Sequence, residues 1–394
     1  MALRAGASGA LQTLRLRRRC PGGARRCWSS APAPAPLPAV DVAALRGAGS
    51  ASAAPYVAAA RALDAACRSP GFAYVSGHGV DAALLGGARD AVRHFLEVAP
   101  VEEKARVAMH DDPTRRGAFR GWQALGRNVT RYGADGADDR DAPSFSRDAH
   151  EAIDLYAELP DGRLPAGSWA RGANPWPRTP PDFEDAIRRY VEQMEALGAD
   201  LMRGLAVGMG LKSTAFDHAL ERPFWSMRGI LYPPLPPLPD GSGCEGGDRW
   251  AARRAGELER SQAISCGEHS DYGVLTLVNQ DMAPEASLQV RAADGHWIDA
   301  APRLSPGGEP MLVVNVGDML ARWTNGRYVA TPHRVIHAPT SGRGRVSVPF
   351  FYEPSFDACV EPLPDLLAKG GQKARYDAVV YGEHLTRKVT SNFA

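Results

Sequence analysis

No stretch of the 394-residue sequence approaches the roughly 18 consecutive apolar residues that a membrane-spanning helix requires. Cysteine is sparse: six residues, at positions 20, 27, 67, 244, 266 and 359, with no C-x-x-C pair. That scatter argues against a zinc cluster and against a disulfide-stapled secreted fold. A nucleic-acid surface needs a basic patch, and here 46 basic and 45 acidic residues leave a formal charge of +1. Apolar content of 44% and charged content of 23% are those of a soluble globular protein. The expected partner is a small molecule, with neither nucleic acid nor membrane, acting on a monomer.

Acid is also missing from the first 40 residues, where Asp41 is the first carboxylate. Residues 1–30 hold seven arginines, several serines and no long apolar core. That is the composition of an organelle transit peptide. Arg26-Cys27-Trp28-Ser29-Ser30 resembles sites cut by the mitochondrial matrix peptidase. The expected address is therefore an organelle, the mitochondrion slightly ahead of the plastid, with the cytoplasm as the address if the leader is not functional. Loss of residues 1–30 would take the formal charge from +1 to −6. APAPAPLP (31–38) reads as an extended linker, so residues 1–36 are set apart as leader and linker.

Residues 37–180 read as a helical and loop-rich module. PYVAAARALDAACRS (55–69) and VDAALLGGARDAVRHFLEV (80–98) are expected helices, separated by a short strand and Gly-rich turn in GFAYVSGHGV (71–80). Residues 110–180, rich in Gly, Pro, Asp and Arg, read as mostly loop. The clearest helix lies within 181–220: Phe183, Ile187, Tyr190, Met194, Leu197, Leu201 and Leu205 recur at helical spacing between Pro180-Pro181 and Gly208/Gly210. From 221 to 356 the apolar period becomes that of strands. Asp294-Gly295 and Asn325-Gly326 are hairpin signals, and Gly317-Asp318 a further turn. Hairpin-linked short strands suggest an antiparallel sandwich or barrel. Residues 233–262 read as an inserted loop, and 357–394 as a C-terminal segment that becomes helical.

The chemistry starts at GEHSDYGVLTLVNQD (267–281). On a strand, residues i and i+2 share a face, so His269 and Asp271 aim a nitrogen and a carboxylate at one space. Both His333 and His337 lie in ATPHRVIHAPT. Flanking prolines and the β-branched Val335-Ile336 favour a strand there. Four strand residues span roughly 13 Å, so only one of the two histidines can complete the site. In GRVSVPFF (344–351), Arg345 and Ser347 share a face. An inward arginine requires an anionic partner, and its fork suits a carboxylate. Two histidines and one carboxylate with open positions are the ligand set of non-haem iron(II) oxygenases.

With these motifs in order, the sequence resembles the iron(II)/2-oxoglutarate-dependent dioxygenases of the isopenicillin N synthase type, over roughly residues 37–394. LPAVDVAAL, GFAYVSGHGV and FLEVAPVEEK are similar to that family's opening module, and GANPWP to its Gly-x-Asn-x-Trp-Pro segment. The resemblance implies a double-stranded β-helix (jelly roll) with flanking helices, a mixed α and β fold. It implies Fe(II) held by His269, Asp271 and His333, since His337 has no ligand counterpart. It implies 2-oxoglutarate held by Arg345 and Ser347 through its distal carboxylate, with Tyr232 in MRGILYPP as a further contact. O2 is the oxidant and ascorbate a candidate reductant. A small organic substrate is oxidised, usually by hydroxylation, as 2-oxoglutarate yields succinate and CO2. The sequence departs at Ile230 and Leu231, where the family has Asn and Tyr.

Three other readings compete. An oxidase of the same fold would use the triad without 2-oxoglutarate. A catalytically silent barrel would act as a binding module, against which the intact Asp271 argues. A zinc hydrolase would leave Arg-x-Ser without a role. Other residues have plainer roles: His78 and His296 at turns, Cys266 as a packed thiol, Asn315 and Asp318 in turn structure, and Tyr272 and Trp323 in the core. Arg116, Arg120 and Tyr132 are unranked candidates for substrate contact.

Overall fold

In the computed structural model the described residues are 36–47, 50–128, 148–233, 264–282, 287–336 and 344–393. The arginine-rich leader, Tyr132, nearly all of the expected insertion and His337 lie outside them. Residues 35–394 form one compact unit.

Eight strands make the larger sheet. In spatial order they are β1 (Ala39–Asp41), β2 (Phe72–Ser76), β10 (Leu312–Val316), β7 (Leu275–Gln280), β12 (Arg345–Tyr352), β5 (Ser226–Tyr232), β4 (Glu151–Tyr156) and β3 (Gly121–Gln123). The smaller sheet is β6 (Ile264–His269), β11 (His333–Ile336), β8 (Leu288–Arg291) and β9 (Trp297–Asp299). Apart from the parallel β1–β2 pair, the strands of both sheets run antiparallel. Leu288, Val290 and Val335 of the smaller sheet pack with Tyr74, Ile230, Tyr232 and Val313 of the larger one. This buried cluster fills the space between two facing sheets, the expected jelly roll.

The outer face of the larger sheet is covered by helices. Val346, Val348, Phe350 and Tyr352 of β12 point into that second core, while Arg345 and Ser347 take the barrel side. The long helix expected within 181–220 is α4 (Phe183–Gly208). It lies on α1 (Ala54–Arg68), α2 (Ala82–Val98) and β12. Two short helices, α3 (Val101–Arg106) and α5 (Asp217–Leu220), complete this half of the chain. Glu184 and Asp185 in the first turn of α4 complement its helix dipole. Its approach to the sheet depends on Gly198, where a Cβ would lie 2.6 Å from Tyr352 Cδ2.

Two expectations meet the structure differently. The described residues within 110–180 are mostly loop, as expected, but they also supply β3 and β4 to the larger sheet. EAIDLY forms β4, inside the larger sheet and paired with β5. Asp154 makes the segment look like a turn, but its carboxylate is buried against the Arg228 guanidinium at 2.8 Å. The second concerns WTNGRYV, which is not a hairpin. Helix α6 (Asp318–Trp323) ends there, with Asn325 at φ 54° and Gly326 at φ 78°. A two-residue hairpin and a helix C-terminus both need left-handed backbone, so the dipeptide signal could not separate them. The other signal holds: Asp294-Gly295 joins β8 to β9.

Candidate metal centre and co-substrate pocket

His269 ends β6 and His333 begins β11, and the two are direct partners across those strands. Their ring centroids lie 4.3 Å apart. Asp271, two residues past His269, puts Oδ1 3.8 Å from His269 Nε2 and 3.7 Å from His333 Nε2. One ligand atom from each residue falls within 4.8 Å of the others.

The surrounding groups decide which atoms face inward. His269 Nδ1 is 2.8 Å from the Gly267 carbonyl, and His333 Nδ1 is 3.1 Å from the Thr331 carbonyl. Donation from Nδ1 leaves the Nε2 lone pair free for a cation. Asp271 Oδ2 accepts from Asn315 Nδ2 at 2.7 Å and from the Thr276 hydroxyl, which leaves Oδ1 for the same centre. Asn315 is thus a β10 residue that orients a carboxylate, not a turn residue. The backbone NH of Asp318 likewise bonds the Asp271 carbonyl at 2.8 Å.

Burial pushes His333 down to about 4, helped by the positive charge of His269, so its ring is neutral near pH 7. Burial raises Asp271, but His333, His269 and the Asn315 and Thr276 hydrogen bonds outweigh it and hold the carboxyl low. Burial opposes charge on His269, yet Cys266, Asp271 and the Gly267 carbonyl pull its proton affinity up. The cluster thus pairs an ionised Asp271 with a raised proton affinity at His269, and a metal cation would take the place of the proton that His269 holds. Two imidazole nitrogens and one carboxylate oxygen on one side of a shared centre suit Fe(II) with open positions.

Arg345 opens β12 directly opposite Tyr232 at the end of β5. Its Nη2 donates to Gln280 Oε1 at 2.8 Å, and Nη1 is buried without a hydrogen-bond partner. Among the described residues no anionic partner lies at contact distance: Gln280 is neutral. An orphaned guanidinium nitrogen inside a barrel suits a carboxylate brought by a ligand. Ser347, buried, lies between Ile230 on β5 and Gln280 on β7. The two departures from the family pattern point to opposite faces. Ile230 joins the barrel core and Leu231 the helix-side core, so only Ile230 borders this pocket.

Several other residues resolve into structural roles. His78 is buried, with Nε2 2.9 Å from the Pro310 carbonyl and Nδ1 accepting from Val80 N. Arg120 donates to the Tyr156, Ala157 and Ala170 carbonyls and to Asn174. Trp323 is core. Cys266 Sγ lies 3.9 Å from His269 Nδ1, closer to the site than a merely packed thiol. Gln280 and Glu353 escape the sequence motifs, although Gln280 shares a strand face with Thr276 and Val278. A cavity of about 600 Å³ lies at the far end of α6 from Asp318. It lies where α1, α4, α6 and α7 (Pro364–Gly370) end; Arg68 pairs with Asp64 there, and Lys369 donates to the Gly210 carbonyl just past α4.

Comparison with known proteins agrees with this geometry. Residues 251–354 match the model of the 2OG-Fe(II) oxygenase superfamily, and residues 37–179 that of the N-terminal region of non-haem dioxygenases in morphine synthesis. A homoarginine-6-hydroxylase of Glycine max is 40% identical over 84% of this chain and 88% of its own. One from Oryza sativa is 38% identical over the same shares. The crystal structure of a full-length Neurospora crassa protein in complex with α-ketoglutarate and thymine superposes with a TM-score of 0.69, at 25% identity, over 90% of this chain and 96% of that one. The chain belongs to the 2OG-Fe(II) oxygenase superfamily, and it is an iron(II)- and 2-oxoglutarate-dependent oxidoreductase.

Proposed function

We propose that this enzyme hydroxylates the side chain of a guanidino amino acid of the homoarginine type. The observation that carries the reaction class is the pairing of the His269–Asp271–His333 cluster with the orphaned Arg345 Nη1 inside one barrel. The substrate class rests on the relatives, two of which are named homoarginine-6-hydroxylases at 38% and 40% identity.

In this reading His269 Nε2, His333 Nε2 and Asp271 Oδ1 hold Fe(II), and Arg345 and Ser347 take the distal carboxylate of 2-oxoglutarate beside Tyr232. Bound iron, with 2-oxoglutarate and O2, supplies the oxidant that removes a substrate hydrogen, with release of succinate and CO2. The protein's own work is positional. The Gly267 and Thr331 carbonyls fix the two imidazole tautomers, and Asn315 with Thr276 turns one oxygen of Asp271 inward. The apolar barrel around Tyr232 keeps water from the carboxylate–guanidinium pair.

The test is homoarginine-dependent release of succinate, one per O2 consumed, by the iron-loaded protein. Asp271→Ala should bind no iron and lose at least about 100-fold in turnover. Oxygen uptake without succinate would favour the oxidase reading, and normal turnover by the variant would refute the ligand assignment. The acid-free, arginine-rich residues 1–30 support import into an organelle. A reporter fused to them should enter mitochondria, and diffuse cytoplasmic signal would overturn that address.

A further inference from the structure

Glu353 follows β12 directly. It is 3% exposed, and its Oε2 has no hydrogen-bond partner. The Tyr381 hydroxyl, at the start of α8 (Tyr381–Phe393), is near enough to favour the ionised form, but it too lacks a partner of hydrogen-bonding geometry. The carboxyl lies directly on the loop that carries Asp271. A Cβ on Gly273 would fall 1.6 Å from Glu353 Oε2 and 2.2 Å from its Cδ, so Gly273 leaves the room the carboxyl occupies. The charges that act on Glu353 are Asp271 and Asp318, both negative.

The other acids near the site are already answered. Asp154 faces Arg228 and accepts from Gln123. Asp318 accepts from the Ser270 hydroxyl at 2.9 Å and has Lys388 at 4.0 Å. Asp271 is committed to the histidine cluster. Glu353 is left as a buried carboxyl, in an acidic setting, with an oxygen unmatched. Burying such a group without a partner is costly, and a ligand that brings a cation removes the cost.

We infer that Glu353 is the specificity residue for the substrate's cationic head group, accepting hydrogen bonds from a guanidinium held beside the Asp271 loop. The inference rests on the guanidino amino acid reading above and deepens it. In homoarginine, C6 is bonded to a guanidino nitrogen. A group that holds the guanidinium must therefore lie next to the metal ligands if C6 is to face them, and Glu353 is the unmatched carboxyl group in that position among the described residues. A planar guanidinium can present two N–H groups to one carboxylate, whereas a urea of the same shape offers no charge.

The experiment compares homoarginine with homocitrulline, its uncharged isostere, on the full-length protein. The anaerobic Fe(II)–2-oxoglutarate visible band is titrated with each compound, and its perturbation reports binding without turnover. Wild type should respond to homoarginine at a concentration at least about tenfold lower than to homocitrulline. Glu353→Gln should bring the two within about twofold, and Glu353→Asp should restore part of the difference. The unperturbed band in each variant reports an intact fold and centre. If Glu353→Gln keeps the tenfold preference while homoarginine still binds, the assignment of Glu353 is overturned and the substrate reading stands. If homoarginine leaves the wild-type band unchanged, the substrate reading fails and the inference falls with it.

Discussion

The guanidinium of Arg345 lies 5.1 Å from the centroid of the Tyr232 ring, and the two residues are direct partners across β12 and β5. The ring supports the cation while Gln280 takes one of its nitrogens and Nη1 remains unused. A buried cation held this way is costly until an anion arrives, which makes the pocket selective for a carboxylate.

Arg345→Ala should therefore raise the 2-oxoglutarate concentration needed for half-maximal turnover by about 100-fold, while iron affinity changes little. Arg345→Lys should recover only part of this, because an ammonium cannot reproduce the fork. Anaerobic titration with 2-oxoglutarate checks both, and an unchanged requirement in Arg345→Ala would sink the assignment.

Arg93 of α2 clamps the backbone on either side of Arg345. Its Nη1 donates to the Gly344 carbonyl at 2.8 Å and its Nη2 pairs with Asp281, whose Oδ2 accepts from Val346 N at 2.8 Å. Arg93→Met should loosen the start of β12. The expected result is a KM for 2-oxoglutarate raised by about tenfold against a smaller change in kcat, with about 3 kcal/mol lost from stability. Steady-state kinetics and thermal unfolding measure the two effects. A loss of stability with an unchanged KM would make Arg93 a purely structural clamp.

Burial raises the Glu353 carboxyl from 4.5 to about 8. Between those values the folded chain keeps a proton that the unfolded chain has released, so stability falls as pH rises through the window. Glu353→Gln has no such titration. At pH 7 it should be more stable than wild type by up to about 3 kcal/mol, and the difference should close toward pH 4.5. Unfolding midpoints across pH 4.5–8 test this. A constant difference would show that the carboxyl titrates normally in the fold.

What could be read from the sequence was local. The His-x-Asp and Arg-x-Ser spacings fix which side chains share a strand face, because the β period is two whatever the strand packs against. The seven apolar positions of α4 and the Asp294-Gly295 turn are likewise set within a few residues. The structure alone paired His269 with His333, set Asn315 against Asp271 across 44 residues, and set Gln280 against Arg345 across 65. It also turned Asn325-Gly326 into a helix end, drew Asp154 into a sheet, and seated Glu353 on the bare backbone of Gly273. These contacts depend on which strands become neighbours when the two sheets close. Sheet closure buries residues distant in sequence together, and no spacing along the chain records it.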